Sequence, residues 1–222
     1  MAAFNRAVSD QQKAERRDAI LQVALAEFAD TPYDELTMDR IAAETGLAKG
    51  TLYLYFRSKE EVFLALCEQE LTQWFDALDT ALQTRRADMS VNSLVELFAA
   101  SFNDRPHLLR LLAILHTVLE YNVPYAAALG FKTLLKEHTG KTGALLESYL
   151  QFFTPGQGAA LLIKVYALVI GFEHLAAPSR VVRDVLEQPE MALFRVNLEQ
   201  QLLETLKTLL MGLAYEAKYR QA

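Results

Sequence analysis

Two short runs of helical periodicity meet at a single glycine, Gly46, between Thr37 and Phe56, and this junction constrains the chain more than any other feature. Thr37 is a good helix N-cap, and Leu36 before it can staple onto Ile41 across that cap. Gly46 can take the positive φ that closes a helix. Leu47 can then enter the core beside Ile41, while Leu52 and Phe56, one turn apart, anchor a second helix expected over about Lys49 to Phe56. Two short helices held at a fixed angle by a tight turn are helix-turn-helix geometry.

With Leu52 and Phe56 turned inward, the roughly 100° step of a helix sends Gly50 and Leu54 nearly opposite, flanked by Thr51 and Tyr53, with Lys49 beside Tyr53. That outward face has what a DNA-reading helix needs. It offers a basic residue and N-terminal amides for phosphates, a glycine allowing close backbone approach, and side chains that meet base edges. Thr51 can hydrogen-bond a base, and Leu54 can touch a thymine methyl. Thr37 and Lys59, near the starts of flanking helices, are placed for backbone phosphates. Lys49, Arg57 and Lys59 occur with no acidic residue between Lys49 and Lys59, and Arg6, Lys13, Arg16 and Arg17 crowd the N-terminus, so basic surface coexists with a formal net charge of -6. The plainer alternatives are core packing for Tyr53 and Tyr55 and ordinary solvation for Lys49 and Lys59.

Elsewhere helical signals dominate and strand alternation is nearly absent, so an all-α fold is expected. Ile20, Leu21, Ala24, Leu25 and Phe28 form one apolar stripe on a first helix from about Gln11 to Ala29. A capping box of Ser58 with Glu61 opens a long fourth helix through Trp74 and Leu78. A polar break runs from Arg85 to Ser90, and further helix starts are marked by Ser90, by Pro106, by Thr154 with Pro155 and Gln157, and by Pro189. Leu161 to Phe172 is apolar nearly all round, which suits burial on more than one side, including burial between subunits. Leu198, Leu202, Thr205, Leu206, Leu209 and Leu213 read as a core or dimer stripe, with Gly171 and Gly212 permitting close helix approach. The division expected is a three-helix head over residues 10–66, with its helix-turn-helix at about 37–56, and a larger helical domain over 67–222.

Cys67 is the only cysteine, so no disulfide framework or CxxC site forms within one chain. The N-terminus lacks the apolar core of a secretory signal, and no apolar run approaches ~18 uninterrupted residues, so the cytoplasm and no membrane association are expected. His107 and His116 sit nine residues apart on one expected helix, hence on opposite faces. His116 and Glu120 share a face without other visible ligands, and His138 and His174 suit surface or capping roles. No metal, cofactor or catalytic residue is assigned. Nucleophile motifs, phosphate-cradling loops and the dinucleotide fingerprint are all missing, which argues against an enzyme.

The run KGTLYLYFRSKEE, with AILQVALAEFA in the first helix and TMDRIAAETGLAKGTLY across the turn, resembles the DNA-binding domain of the TetR family of bacterial regulators over about residues 13–66. That resemblance implies DNA contacts at Thr37, Lys49, Gly50, Thr51, Tyr53, Tyr55 and Lys59, with the third helix in the major groove. It implies a homodimer built from the last two long helices, presenting two heads about 34 Å apart to a pseudo-palindromic operator in double-stranded DNA. It further implies a repressor released when a small-molecule effector occupies the C-terminal domain. Ala48 departs from the pattern by standing where the family often has a hydroxyl. Tyr121, Tyr125, Phe131, Tyr149, Phe152, Tyr166 and Phe172 suggest an apolar or aromatic effector if they converge, and His116, Tyr121, Tyr166 and Glu173 are the pocket candidates. The rival readings are a helical small-molecule binder or enzyme retaining a non-functional head, and a dimeric interaction module.

Overall fold

The computed structural model describes residues 2–85, 89–103 and 105–220, with side chains from residue 11 to residue 219. Arg86 to Asp88 of the polar break and the Arg6 side chain lie outside the described residues. Those described form ten α-helices and no strand, which is the all-α fold expected. The helices are α1 (Ala2–Asp30), α2 (Met38–Glu44), α3 (Lys49–Leu52), α4 (Lys59–Thr84), α5 (Val91–Asn103), α6 (Pro106–Ile114), α7 (Tyr125–Tyr149), α8 (Gln157–Ala176), α9 (Arg180–Leu186) and α10 (Leu198–Arg220). Short 3-10 turns occupy Tyr33–Glu35 and Pro189–Phe194, and a π-helical turn occupies Leu115–Leu119. The chain divides into two compact units, Met1–Gln69 with Ile114–Phe131, and Glu70–Ala113 with Lys132–Ala222.

In the first unit, Ile20, Leu21, Ala24 and Phe28 of α1 are buried together with Leu36, Ile41, Leu52 and Phe56, while Leu25 is only half-buried. Phe63 of α4 receives ring edges from Phe28 at 5.3 Å and Tyr33 at 5.1 Å, a geometry that adds to simple area burial. Arg40 on α2 forms an ion pair with Glu27 on α1. Ser58 Oγ accepts from Glu61 N at 3.2 Å, and the Glu61 carboxylate reaches back to Arg57 N at 2.6 Å. The expected box therefore closes one residue earlier than the usual reciprocal bond.

The second unit packs α10 against α8 and α5. Trp74 stacks on Phe102 at 5.2 Å and donates through Nε1 to Ser101 Oγ at 3.1 Å. Helices α7 and α8 cross in backbone contact at Gly143 and Gly158. On α4, the Asp79 carboxylate is nearly fully buried; it accepts from Thr142 Oγ1 at 2.6 Å and pairs with Lys141 Nζ at 2.8 Å. His138, expected at the surface, is half-buried because its ring stacks on Phe75 at 5.1 Å. No residue of α9 or of the following turn is buried, and Arg195 binds this segment through the carbonyls of Leu186, Glu187 and Gln188.

Three expectations about helices need revision, the first being that α1 begins at Ala2 and not at about Gln11. The second helix of the motif ends at Leu52, not Phe56: Leu54 N and Tyr55 N bond to the carbonyls of Thr51 and Leu52, three residues back, so the helix tightens after one turn. Helix α8 is, among the described residues, long and apolar enough by length and composition to cross a membrane, with a mean hydropathy of 1.7 over its apolar window. Lys164 interrupts the run in sequence, which is why a count of uninterrupted residues overlooks it.

Candidate nucleic-acid interface

The helix-turn-helix is set by local chemistry. Thr37 takes extended backbone and its Oγ1 accepts from Arg40 N at 3.2 Å, which caps α2. At the other end Gly46 adopts φ +67°, Gly46 N bonds to Ala43 O at 3.1 Å and Leu47 N to Ala42 O at 2.9 Å. This pair of bonds is a Schellman closure, and its left-handed position is the reason a glycine stands there. Leu47 is half-buried, and Ala48 then enters α3 from extended backbone with no side-chain cap, as its missing hydroxyl implies.

Although α3 is short, the outward face forms. Leu52 and Phe56 are buried, whereas Leu54 is 83% exposed and Tyr53 42% exposed. Gly50 is exposed, and a Cβ built on it meets nothing within 4 Å. No contact within the chain therefore requires a glycine there. Thr51 and Tyr55 are half-buried, and Thr37 is exposed. Gly50, Tyr53 and Leu54 are thus presented to solvent, with Thr51 and Tyr55 at the edge of the core.

The four cations between Thr37 and Glu61 divide unequally. Lys49 Nζ lies 2.6 Å from Asp39 Oδ1 and 2.9 Å from Oδ2, and that carboxylate holds the ammonium above the usual lysine range. Lys59 Nζ donates to Tyr33 O at 2.8 Å and Leu36 O at 2.9 Å and lies 3.9 Å from the Tyr33 ring centroid. Its burial lowers its pKa, and burial followed by Glu60 raises that of the Tyr33 phenol. Arg40 is held by Glu27. Arg57 is exposed and its guanidinium has no partner among the described residues. Sequence reasoning counted Arg57 in the basic stretch without assigning it a contact; only the pairing of its neighbours singles it out.

The four pocket candidates fall in two separate places, two in and after the π-helical turn and two on α8. His116 is exposed, with Nδ1 3.0 Å from Glu120 Oε2, so the shared face read from the sequence is realised. Tyr121 follows the π-helical turn and is 78% exposed. Both belong to the first unit, while Tyr166 and Glu173 are half-buried on α8 in the second. Burial raises the Glu173 pKa, against opposing effects of Arg110 and His174. A surface groove of the second unit is walled by Phe102, Leu109, Leu198 and Leu202, and another by Val91, Lys207, Met211 and Tyr215; neither Tyr166 nor Glu173 lines them. Among the described residues, no three His, Cys, Asp or Glu side chains are grouped to hold a metal ion.

Similarity to known proteins covers most of the chain. The pattern described as bacterial regulatory proteins, tetR family, matches residues 20–66, and that described as tetracyclin repressor-like, C-terminal domain, matches residues 68–217. The HTH-type transcriptional repressor KstR2 of Mycolicibacterium smegmatis is 35% identical over 96 residues, 43% of this chain and 46% of that protein. The fatty acid metabolism regulator protein of Bacillus subtilis is 27% identical over 75 residues, 34% of this chain and 39% of that protein. The chain thus spans less than half the length of these curated relatives. A TetR-family transcriptional regulator from Syntrophomonas wolfei has a crystal structure similar to this one, with a TM-score of 0.57 at 16% identity, covering 91% of this chain and 96% of that one. At that identity the likeness is one of fold.

Proposed function

Because the chain belongs to the TetR family of bacterial transcriptional regulators, we propose that it is a cytoplasmic, dimeric repressor that binds a pseudo-palindromic operator and is released by a small-molecule effector. The observation that carries this reading is the outward face of α3, where Gly50, Tyr53 and Leu54 are exposed on a head built by a capped α2 and a Schellman turn. An isolated head has no internal use for an exposed leucine and an unconstrained glycine. Against a duplex, Leu54 meets thymine methyls, Gly50 admits the sugar-phosphate backbone, and the phenol and backbone amides position the helix. Arg57, whose guanidinium has no partner among the described residues, supplies a cation for a phosphate, and Thr37 is exposed at the start of α2.

Dimerisation through α8 and α10 is supported by their unpartnered apolar surface. Only 22% of the apolar window of α8 is buried within the chain, and Ile163, Leu175, Met211, Tyr215 and Tyr219 are exposed. A second subunit accounts for such a surface, since monomers rarely expose large contiguous apolar patches. For the effector, the aromatic and aliphatic content of the C-terminal region favours an apolar or aromatic ligand, and one relative's name ties it to fatty acid metabolism. Release requires only that effector and DNA prefer different conformations, with a coupling of about 1–3 kcal/mol.

The test is footprinting of the purified protein on DNA flanking its own gene and on a selected random-sequence pool, across a salt series, with Tyr53→Ala in parallel. A two-fold symmetric protected site that Tyr53→Ala loses supports the proposal. The absence of any protected or selected site sinks it and returns the chain to the rival reading of a small-molecule binder.

A further inference from the structure

We infer that Asp39 is a positioning residue that restrains sequence-independent DNA binding by holding the Lys49 ammonium within the protein as a built-in counter-ion. The inference rests on the DNA-binding reading above and deepens it.

Both partners are fixed by short-range structure. Asp39 is the second residue of α2 and Lys49 the first of α3, and the Schellman turn at Gly46 sets the angle between those helices. The ammonium reaches both carboxylate oxygens, at 2.6 and 2.9 Å, although the two side chains are 64% and 58% exposed. The first turn of α2 also favours a negative side chain, so the carboxylate is stabilised in place without Lys49. Lys49 is among the residues that the DNA-binding reading sets against a duplex, so the pair puts an acidic group beside that surface, where it would otherwise be unhelpful.

Sequence-independent binding is driven almost entirely by neutralising phosphates and releasing their counter-ions. A lysine that already has a carboxylate partner contributes less to it, because a phosphate must first displace that partner. The arrangement is repeated with other acceptors at Arg40 and Lys59, so Arg57 is the cation of this stretch whose guanidinium has no partner among the described residues. A weak electrostatic term limits occupancy of the many competing genomic sites. It also keeps the complex within reach of an effector whose coupling is only about 1–3 kcal/mol.

The experiment titrates short duplexes of randomised sequence with the full-length wild type, Asp39→Asn, Asp39→Glu, Lys49→Gln and the Asp39→Asn/Lys49→Gln double variant, over a salt series. Asp39→Ser, which also suits a first helical turn, is run beside Asp39→Asn, and each variant is checked for helical content. The expected result is binding about two- to fivefold tighter per head in Asp39→Asn, the range of an exposed ion pair, with a salt slope steeper by about 0.9 per head. Asp39→Glu should stay at wild-type affinity, and the gain should vanish in the Lys49→Gln background. An equal gain without Lys49 would show direct repulsion of phosphate by Asp39 and overturn the inference. So would unchanged or weaker binding by Asp39→Asn while the wild type binds DNA. A wild type that binds neither randomised nor selected duplexes removes the DNA-binding reading and the inference together.

Discussion

Two pairs of glycines serve opposite purposes in the two units. In the head, a Cβ added at Gly46 or Gly50 meets nothing within 4 Å. Gly46 is needed for its φ of +67°, and Gly50, which has ordinary φ, is needed for nothing inside the chain. In the second unit the space is filled. A Cβ at Gly143 would lie 2.6 Å from Ala159 N, and one at Gly158 would overlap the Gly143 carbonyl. Glu147 Oε1 also accepts from Gly158 N at 2.9 Å, so a side chain tethers the start of α8 at this crossing. A glycine whose open side faces solvent points to backbone geometry or an outside partner, whereas one pressed on another helix points to packing.

The sharpest way to break that contrast is Gly158→Ala. Overpacking against backbone cannot be relieved by a side-chain rotation, so we expect a loss of ~3 kcal/mol, read as a lower denaturation midpoint. Neutral behaviour would mean that the α7–α8 crossing is looser than its geometry. Next in size is Thr142→Val on α7, which leaves the buried Asp79 carboxylate without its hydroxyl donor and should cost about 1–3 kcal/mol in the same measurement. Gly50→Ala should move two readouts in opposite directions: stability rises by about 0.5–1 kcal/mol as backbone freedom in the unfolded chain falls, while operator affinity drops about tenfold, the equivalent of ~1.4 kcal/mol. Equal operator affinity would remove Gly50 from the interface.

The smallest effect belongs to Glu173, whose pKa is raised chiefly by burial. The folded state then binds the proton more tightly than the unfolded chain, so stability falls as pH rises from the unfolded carboxylate range through the raised value. Glu173→Gln should flatten that fall, seen as a smaller difference in Tm between pH 4 and pH 7. An unchanged difference would show that the carboxyl is better solvated than its position implies.

Much of the head was legible from sequence because its determinants are local. The Thr37 cap, the Gly46 closure and the burial of Leu52 and Phe56 all follow from neighbours within a turn or two. The extent of α3 was not, because apolar spacing is equally served by one α-turn followed by tighter turns. Lys59 read as a phosphate ligand from its place at a helix start, yet its ammonium is bonded to the loop carbonyls of Tyr33 and Leu36. His138 read as a surface residue from its polar neighbours, and a ring on another helix half-buries it.

By itself the sequence determined an all-helical chain, the position of its turn and the outward set Gly50, Tyr53 and Leu54, since caps, a positive φ and helical spacing act over a few residues. Only the tertiary structure decided which charged groups are already engaged and which glycines are locked. Those outcomes depend on partners remote in the chain: Asp39 lies 10 residues from Lys49, Tyr33 lies 26 from Lys59, and Asp79 lies 63 from Thr142. No local propensity encodes such distances, and folding alone brings these groups together.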